Sequence, residues 1–195
     1  MNKADSMRDE IARRLEESAQ IGEMIATSKI GEIESIVNSI LSAHKSGGKV
    51  VLFGNGGSAA DAQHLACELV GRVTHNRQAF PAIALTTNTS TLTAIANDYG
   101  YETVFSRQVE ALVNEKDVVI GLSTSGNSPN VVRAIQAAKM KGAKTIGLTG
   151  SNGGKLTEAA DLVLTVPSDS IPRIQEAHIT IGHIICEMVE RELLK

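Results

Sequence analysis

Residues 118–129 read VVIGLSTSGNSP, an apolar run that passes directly into a loop of small and hydroxyl-bearing residues. Two other segments repeat this texture, VVLFGNGGS at residues 50–58 and TIGLTGSNGG at residues 145–154. A strand with one face in water would alternate apolar and polar residues, whereas these runs are almost entirely apolar. They are therefore predicted to be parallel strands that are buried on both faces.

Helical stretches separate these runs, and two further strand candidates lie at residues 82–85 and 162–166. Strands that alternate with helices indicate an α/β fold, here a doubly wound five-stranded parallel sheet in one domain, residues 1–195. Apolar spacings of three and four predict a hairpin of two helices within residues 1–46. Its apolar residues exceed the needs of one sheet face, so we expect part of it to contact another subunit. A long helix from Pro172 to Leu194 is predicted to close the fold.

Composition limits the classes of function. The net charge is −3, and the chain has no Trp, two Tyr and three Phe, which leaves neither a basic field nor many rings for nucleic acid binding. The charged N-terminal residues show no apolar segment typical of a signal peptide or membrane span, which predicts a cytoplasmic protein without a membrane partner. Cys67 and Cys186 lack metal-type spacing and are predicted to be reduced core residues.

The hydroxyl loop, residues 123–128, is the strongest single candidate for a binding site. Ser128 followed by Pro129 predicts a helix that begins at this loop, with the Ser128 hydroxyl as its cap. Free amides and the positive end of the helix dipole favour an anion there, and the loop hydroxyls add hydrogen bonds without a lysine. A phosphate monoester fits this environment, whereas an ordinary capped turn does not explain so many hydroxyls.

The glycine loop, residues 54–57, matches neither a dinucleotide fingerprint nor a P-loop, so a nucleotide is not indicated. Ser58 and Asp61 have the spacing of a capping box for the next helix. Glycines let a ligand approach the main chain closely. On these residues alone, a structural role and a binding role are equally compatible with the loop.

His64 and Glu68 are four residues apart on that helix, so their side chains share one face. The spacing suits either a metal site or an acid–base pair, and it also occurs on solvated helices. Gln175 and His183 share a broad face of the last helix, where His178 or Glu176 could take either role. Asn97-Asp98 ends another predicted helix and is as compatible with a helix end as with a sugar contact.

Four motifs together resemble the bacterial phosphoheptose isomerases of the sugar isomerase (SIS) domain superfamily. They are residues 54–64 (GNGGSAADAQH), 94–100 (AIANDYG), 123–128 (STSGNS) and 173–178 (RIQEAH). The resemblance covers nearly the whole chain, including the helical N-terminus. The hydroxyl loop alone indicates only the superfamily, whereas the His64–Glu68 segment and the last motif are specific to the family.

The resemblance implies a flavodoxin-like strand order and a homotetramer whose active sites form between subunits. It implies one Zn²⁺ per subunit, held by His64, Glu68, Gln175 and His183, which favours Gln175 and His183 over His178. It also implies that sedoheptulose 7-phosphate is converted to D-glycero-D-manno-heptose 7-phosphate, the first step of ADP-heptose precursor biosynthesis. The heptose is then destined for lipopolysaccharide core, for another envelope glycan or for a protein modification, and the sequence does not choose among these. The implied substrate contacts are Asn55, Gly56, Gly57, Glu68, Asn97, Asp98, Ser123, Thr124, Ser125, Ser128 and Gln175.

Isomerisation of a ketose to an aldose moves a proton between adjacent carbons through an enediolate. We hypothesise that Glu68 moves the carbon-bound proton, that His183 moves the proton between oxygens and that zinc polarises the carbonyl. A carboxylate on zinc is a weaker base, so either Glu68 leaves the metal during turnover or the metal is partly structural.

One alternative function comes from a different class. A noncatalytic, tetrameric relative of the same fold binds a replication initiator protein, and the positions matching Glu68 and His183 are typically lost in it. Both residues are present here. A second alternative is another isomerase or a sugar-phosphate sensor of the superfamily, but these usually carry an additional domain for which no residues remain.

Overall fold

Eight α-helices and five β-strands make up the part of the chain that this computed structural model describes, residues 6–195. The helices are α1 (Met7–Ser28), α2 (Ile30–Lys45), α3 (Gly57–Val70), α4 (Thr89–Tyr99), α5 (Ser106–Leu112), α6 (Pro129–Met140), α7 (Leu156–Ala159) and α8 (Ile171–Leu193). The strands are β1 (Val50–Gly54), β2 (Ala82–Ala84), β3 (Val118–Ser123), β4 (Lys144–Thr149) and β5 (Leu162–Thr165). A short 3₁₀ helix spans Tyr101–Thr103.

The strands form one parallel sheet in the order β2-β1-β3-β4-β5, which confirms the predicted doubly wound fold with its flavodoxin-like order. β1 and β3 pair from Val50–Val118 to Gly54–Leu122, so the glycine loop and the hydroxyl loop leave the sheet at the same edge. The direction in which successive strands are added to the sheet reverses between β1 and β3, because β2 lies beside β1 on the side away from β3. Parallel α/β sheets bind ligands in the crevice at this point.

Both faces of the central strands are buried, as the apolar runs predict. In β1, Val50 and Leu52 face the layer of α1, α2, α3 and α8, whereas Val51 and Phe53 face the layer that includes α6. The edge strand β2 differs, because Ile83 is exposed. A strand with no neighbour on one side has less cover from the two helical layers.

The N-terminal hairpin is present as predicted, divided at Lys29 into α1 and α2. Residues 1–5 of the predicted hairpin lie outside the described residues. Ser6 and Asp9 form a reciprocal capping box, which fixes the start of α1 at Met7. Within residues 6–195, no helix is long and apolar enough to cross a membrane.

Two predictions for residues of α3 are wrong. The helix after the glycine loop begins at Gly57, so buried Ser58 lies inside its first turn and forms no capping box with Asp61. Cys67 is exposed rather than part of the core, because it lies on the outer side of α3. Cys186 is a buried free thiol as predicted, and burial raises its pKa to about 12.

Candidate active site

The side chains of His64, Glu68 and His183 converge where α3 packs against α8. The Nε2 atoms of His64 and His183 are 2.8 Å apart, and Glu68 Oε1 lies 3.5 Å from His64 Nε2. One ligand atom from each residue lies within 4.8 Å of the other two. The predicted i, i+4 pair on α3 and the predicted histidine on α8 thus form one cluster within a single chain.

A glycine at the helix crossing permits this convergence. A Cβ on Gly182 would lie only 2.5 Å from Cδ2 of Leu65, a buried residue on α3. These residues directly adjoin His183 and His64 in the sequence. The close approach of the Gly182 backbone to the Leu65 side chain therefore brings the two imidazoles together.

The donor set fits a divalent metal ion. Two imidazole nitrogens and a carboxylate oxygen are ligands that Zn²⁺ takes in proteins, and catalytic zinc sites commonly use three protein ligands. Two neutral imidazoles whose Nε2 atoms face each other can share only one proton, whereas a cation accepts a lone pair from both. The cluster of His64, Glu68 and His183 is therefore a possible metal site.

The other candidates on α8 have different positions. The Gln175 amide lies against Gly57, the first residue of α3, with Nε2 2.6 Å from the point that a Cβ of Gly57 would occupy. His178 is fully buried, and its Nε2 is 3.1 Å from the backbone oxygen of Thr149. Burial lowers the His178 pKa to about 4 despite this hydrogen bond. Exposed Glu176 contacts Ser18 and Arg173. Neither His178 nor Glu176 belongs to the cluster, whereas Gln175 adjoins the glycine loop.

Asp61 adds a second carboxylate to this region. It lies one turn before His64 on α3, and its Oδ2 is buried without a hydrogen-bond partner among residues 6–195. Burial raises the pKa of the Asp61 carboxyl, and the nearby imidazoles of His64 and His183 act in the opposite direction. Asp61, which was predicted to belong to a capping box, is thus close enough to the cluster to interact electrostatically with both of its imidazoles.

The hydroxyl loop has the free donors that an anion site requires. Within residues 6–195, the backbone amides of Thr124, Ser125 and Ser128 donate to no protein acceptor. The helix α6 begins directly after Ser128, so its positive dipole end faces the loop. Contrary to the prediction, the Ser128 side chain does not cap the helix, and its oxygen accepts a hydrogen bond from Ser123 Oγ at 3.0 Å.

The loop between β4 and α7, residues 150–155, packs against the hydroxyl loop. Gly126 has a φ of +66°, and a Cβ there would lie 2.0 Å from the oxygen of Gly153. The amide of Leu156 donates to the Gly126 oxygen at 3.0 Å, and the amide of Lys155 donates to Asn127 Oδ1 at 3.0 Å. Only glycine allows this backbone contact, which holds the loop in one conformation.

Asn55, in the glycine loop, contacts the helix that follows the hydroxyl loop. It follows β1 directly, and its side chain exchanges two hydrogen bonds with buried Asn130 on α6. The hydroxyl of Tyr101 also contacts it. Asn97 and Asp98 lie on the exposed last turn of α4, where Asn97 Nδ2 donates to Asp98 Oδ1 at 2.8 Å. The structure therefore joins Asn55 to the hydroxyl loop's helix, whereas within residues 6–195 the side chains of Asn97 and Asp98 hydrogen-bond only with each other.

Sequence reasoning missed Arg77 and Glu190, which connect the far ends of α3 and α8. Glu190 is 1% exposed and accepts hydrogen bonds from the amides of Val73, Thr74 and His75 at 2.8–2.9 Å. Burial alone would raise its pKa, but these hydrogen bonds outweigh burial and hold the pKa far below its usual range. No local pattern identifies such a pair, because their chain separation exceeds any helix or turn spacing.

Comparisons with known proteins show which family this chain resembles. A family model of the SIS domain matches residues 15–150. The chain is 59% identical over 161 residues to a phosphoheptose isomerase of Citrifermentans bemidjiense, with 83% of this chain and 84% of that protein covered. It is 51% identical over 187 residues to a phosphoheptose isomerase of Geobacter sulfurreducens, with 96% and 99% covered.

A solved structure is similar over the same extent. The structure of a phosphoheptose isomerase from Neisseria gonorrhoeae matches with a TM-score of 0.91 and 40% identity. It covers 95% of this chain and 100% of that chain. The similarity thus includes the helices added before and after the sheet.

Proposed function

Because this chain belongs to the phosphoheptose isomerase family of SIS-domain proteins and is an aldose–ketose isomerase, we propose that it converts sedoheptulose 7-phosphate to D-glycero-D-manno-heptose 7-phosphate. This reaction is the first step of ADP-heptose precursor biosynthesis, which supplies lipopolysaccharide. The convergence of His64, Glu68 and His183 from α3 and α8, with one ligand atom of each within 4.8 Å of the others, is the observation that carries the proposal.

Substrate binding is assigned to the two loops at the crevice. The amides and hydroxyls of the hydroxyl loop bind the phosphate, as the α6 dipole favours an anion there. Asn55, Gly56 and Gly57 bind along the sugar chain from the other side of the crevice. The remaining proposed contacts are Asn97, Asp98 and Gln175.

Proton transfer is assigned to the cluster. Glu68 removes a proton from C1 of the ketose and returns it to C2, and His183 moves a proton from the C1 oxygen to the C2 oxygen. The bonds balance, because the C2 carbonyl becomes a hydroxyl as the C1 hydroxyl becomes the aldehyde. His64, Glu68, Gln175 and His183 would hold Zn²⁺, one per subunit, which supplies a positive charge that polarises the carbonyl and stabilises the enediolate.

The two roles of Glu68, metal ligand and base, compete, since a carboxylate bound to a dication is a weaker base.

The test of the proposed function is to follow sedoheptulose 7-phosphate by NMR with metal-loaded protein and with protein treated with a chelator. We expect aldose signals to grow with the loaded protein, and the rate to fall at least about tenfold after chelation and to recover with Zn²⁺. No aldose from loaded, folded protein would refute the reaction, and an unchanged rate after verified metal removal would refute the metal's role.

The noncatalytic alternative is not favoured, because the relatives are isomerases and both Glu68 and His183 are present in one cluster. We place the enzyme in the cytoplasm, in keeping with a phosphorylated sugar as its substrate.

Assembly as a homotetramer, with active sites at subunit interfaces, is part of the proposal. Met7, Ile11 and Leu15 on α1 are 82%, 56% and 68% exposed, which is unusual for a row of apolar residues on one helix. A mostly apolar groove of about 850 Å³ also lies between α1, α2 and α8, away from the cluster. Sedimentation equilibrium should give four chains per particle, and a stable monomer would contradict this part of the proposal.

A further inference from the structure

The buried side chain of Asn130 has only one possible orientation. It is 3% exposed in the first turn of α6, and the Val131 amide, which also donates to the Ser128 oxygen at 3.1 Å, donates to Asn130 Oδ1 at 3.0 Å. A backbone N–H is only a donor, so the atom that meets it must be the amide oxygen. The Asn130 nitrogen therefore points toward Asn55.

This orientation determines the orientation of Asn55 in turn. Asn55 Nδ2 donates to Asn130 Oδ1 at 2.9 Å, and Asn130 Nδ2 donates to Asn55 Oδ1 at 2.8 Å. A reversed Asn55 would bring two nitrogens together and two oxygens together. The α6 backbone thus fixes the orientation of the Asn130 amide, and the Asn130 amide fixes that of Asn55, which is 75 residues away in the sequence.

The Tyr101 hydroxyl is the second donor to Asn55 Oδ1, beside Asn130 Nδ2. It donates to Asn55 Oδ1 at 3.1 Å, so both lone pairs of that oxygen are used. One of the two Asn55 N–H bonds is also used, and the other meets no protein acceptor within residues 6–195. Asn55 is half-buried at the strand switch point, so this remaining N–H is available to a ligand in the crevice.

We propose that Asn130 and Tyr101 are positioning residues that make Asn55 a hydrogen-bond donor only, and that Asn55 therefore selects an acceptor oxygen on the substrate. This inference rests on the proposed function, which places the sugar phosphate in the crevice. Phosphate oxygens and the lone pairs of sugar oxygens satisfy the requirement. A group that must donate to Asn55 does not, because the Asn55 oxygen has no free lone pair.

Two variants remove the two donors to Asn55 Oδ1 separately. Asn130→Asp still accepts from Val131 and Asn55 but cannot donate, and Tyr101→Phe loses the hydroxyl of a side chain that is 60% exposed. Tyr99→Phe is the matched control, since Tyr99 is 57% exposed and its ring packs under Arg107. Its hydroxyl makes no hydrogen bond within residues 6–195.

The readouts are KM and kcat for sedoheptulose 7-phosphate, calorimetric Kd for the same compound and the thermal midpoint. We expect KM and Kd to rise about tenfold in Asn130→Asp and about threefold in Tyr101→Phe, with kcat changed less than about twofold, because one ligand hydrogen bond weakens. Tyr99→Phe should match the unmodified chain. A purely structural role would lower the midpoint without raising KM or Kd in the folded variants.

Unchanged KM and Kd in the folded variants would overturn the inference, and Tyr101→Phe decides alone if Asn130→Asp does not fold. The proposed reaction fails separately, if the unmodified chain binds sedoheptulose 7-phosphate without converting it. Kd then still tests the polarity of Asn55. An unmodified chain that does not bind the compound would overturn both.

Discussion

Arg77 donates a hydrogen bond from Nη2 to the backbone oxygen of Glu68, at 2.9 Å, and thereby holds the last turn of α3. Its Nη1 donates to the Leu69 oxygen at 2.9 Å, and its Nε lies 3.3 Å from Glu190 Oε2 on α8. The side chains of Arg77 and Glu190 are only 3% and 1% exposed. These contacts, the Arg77–Glu190 latch, join the ends of the two helices that carry the cluster of His64, Glu68 and His183.

Glu190→Gln should loosen the latch. An amide oxygen accepts fewer and weaker hydrogen bonds than a carboxylate, so we expect the free energy of unfolding at pH 7 to fall by about 2 kcal/mol. Zn²⁺ affinity should fall about tenfold as well, because supporting contacts tune metal ligands. Urea denaturation and a competitive zinc titration measure the two effects.

Asp117→Asn is the matched control for this variant. Asp117 is also buried and accepts hydrogen bonds from the amides of Lys49 and Asn114, both at 2.9 Å, but within residues 6–195 none of its hydrogen-bond partners lies on α3 or α8. It should lose stability and keep its zinc affinity. Equal zinc affinities for Glu190→Gln and Asp117→Asn would show that the latch only stabilises the fold.

Acid should weaken the latch in a defined range. The folded-state pKa of Glu190 is depressed from its ordinary value of 4.5, so its contribution is present above pH 4.5 and is lost as the pH falls below it. The unfolding free energy of Glu190→Gln should therefore decline less steeply below pH 4.5. Parallel declines in urea titrations would contradict the assignment.

Acid should also lower the stability of the fold through His178, over a higher pH range than through Glu190. Its folded pKa of about 4 lies below the ordinary 6.5, so the unfolded chain binds a proton first as the pH falls from 6.5 to 4. The loss reaches about 3 kcal/mol at most. His178→Gln keeps a neutral N–H for the Thr149 oxygen and should show a flatter stability profile over this range. Profiles of equal slope would mean that His178 is not buried neutral.

Gly182→Ala tests the helix crossing. The added Cβ would meet the Leu65 side chain at 2.5 Å, so α3 and α8 must separate or Leu65 must change rotamer. We expect the two imidazoles to move apart and zinc affinity to fall about tenfold. Gly31→Ala is the control, because a Cβ at Gly31 on α2 meets nothing within 4 Å. Unchanged zinc affinity in a folded Gly182→Ala chain would show that the crossing tolerates the methyl group.

Sequence patterns predicted the fold well because parallel strands buried on both faces leave continuous apolar runs. The five strands and the long helices follow from such runs and from helical periodicity. The short helices α5 and α7 did not, since helices of seven and four residues carry too few turns to show a period. The helix start at Gly57 was missed, because Ser58 and Asp61 imitate a capping box.

The site was predictable where its residues share one local element. His64 and Glu68 follow from helix spacing, and the hydroxyl loop follows from the end of β3. The selection of His183 on α8 needed the family resemblance, because helix geometry alone did not exclude His178. The Asn55–Asn130 pair and the Arg77–Glu190 latch join distant segments, so only the structure reveals them.

Turnover by Glu68→Gln is the most direct test of the account. The substitution keeps the size of the side chain and removes the base, so aldose formation from sedoheptulose 7-phosphate should fall by at least about 10³-fold. Calorimetry should show that the variant still binds the substrate through the hydroxyl loop. A folded Glu68→Gln enzyme that forms the aldose at a near-normal rate would contradict the proton-transfer role of Glu68.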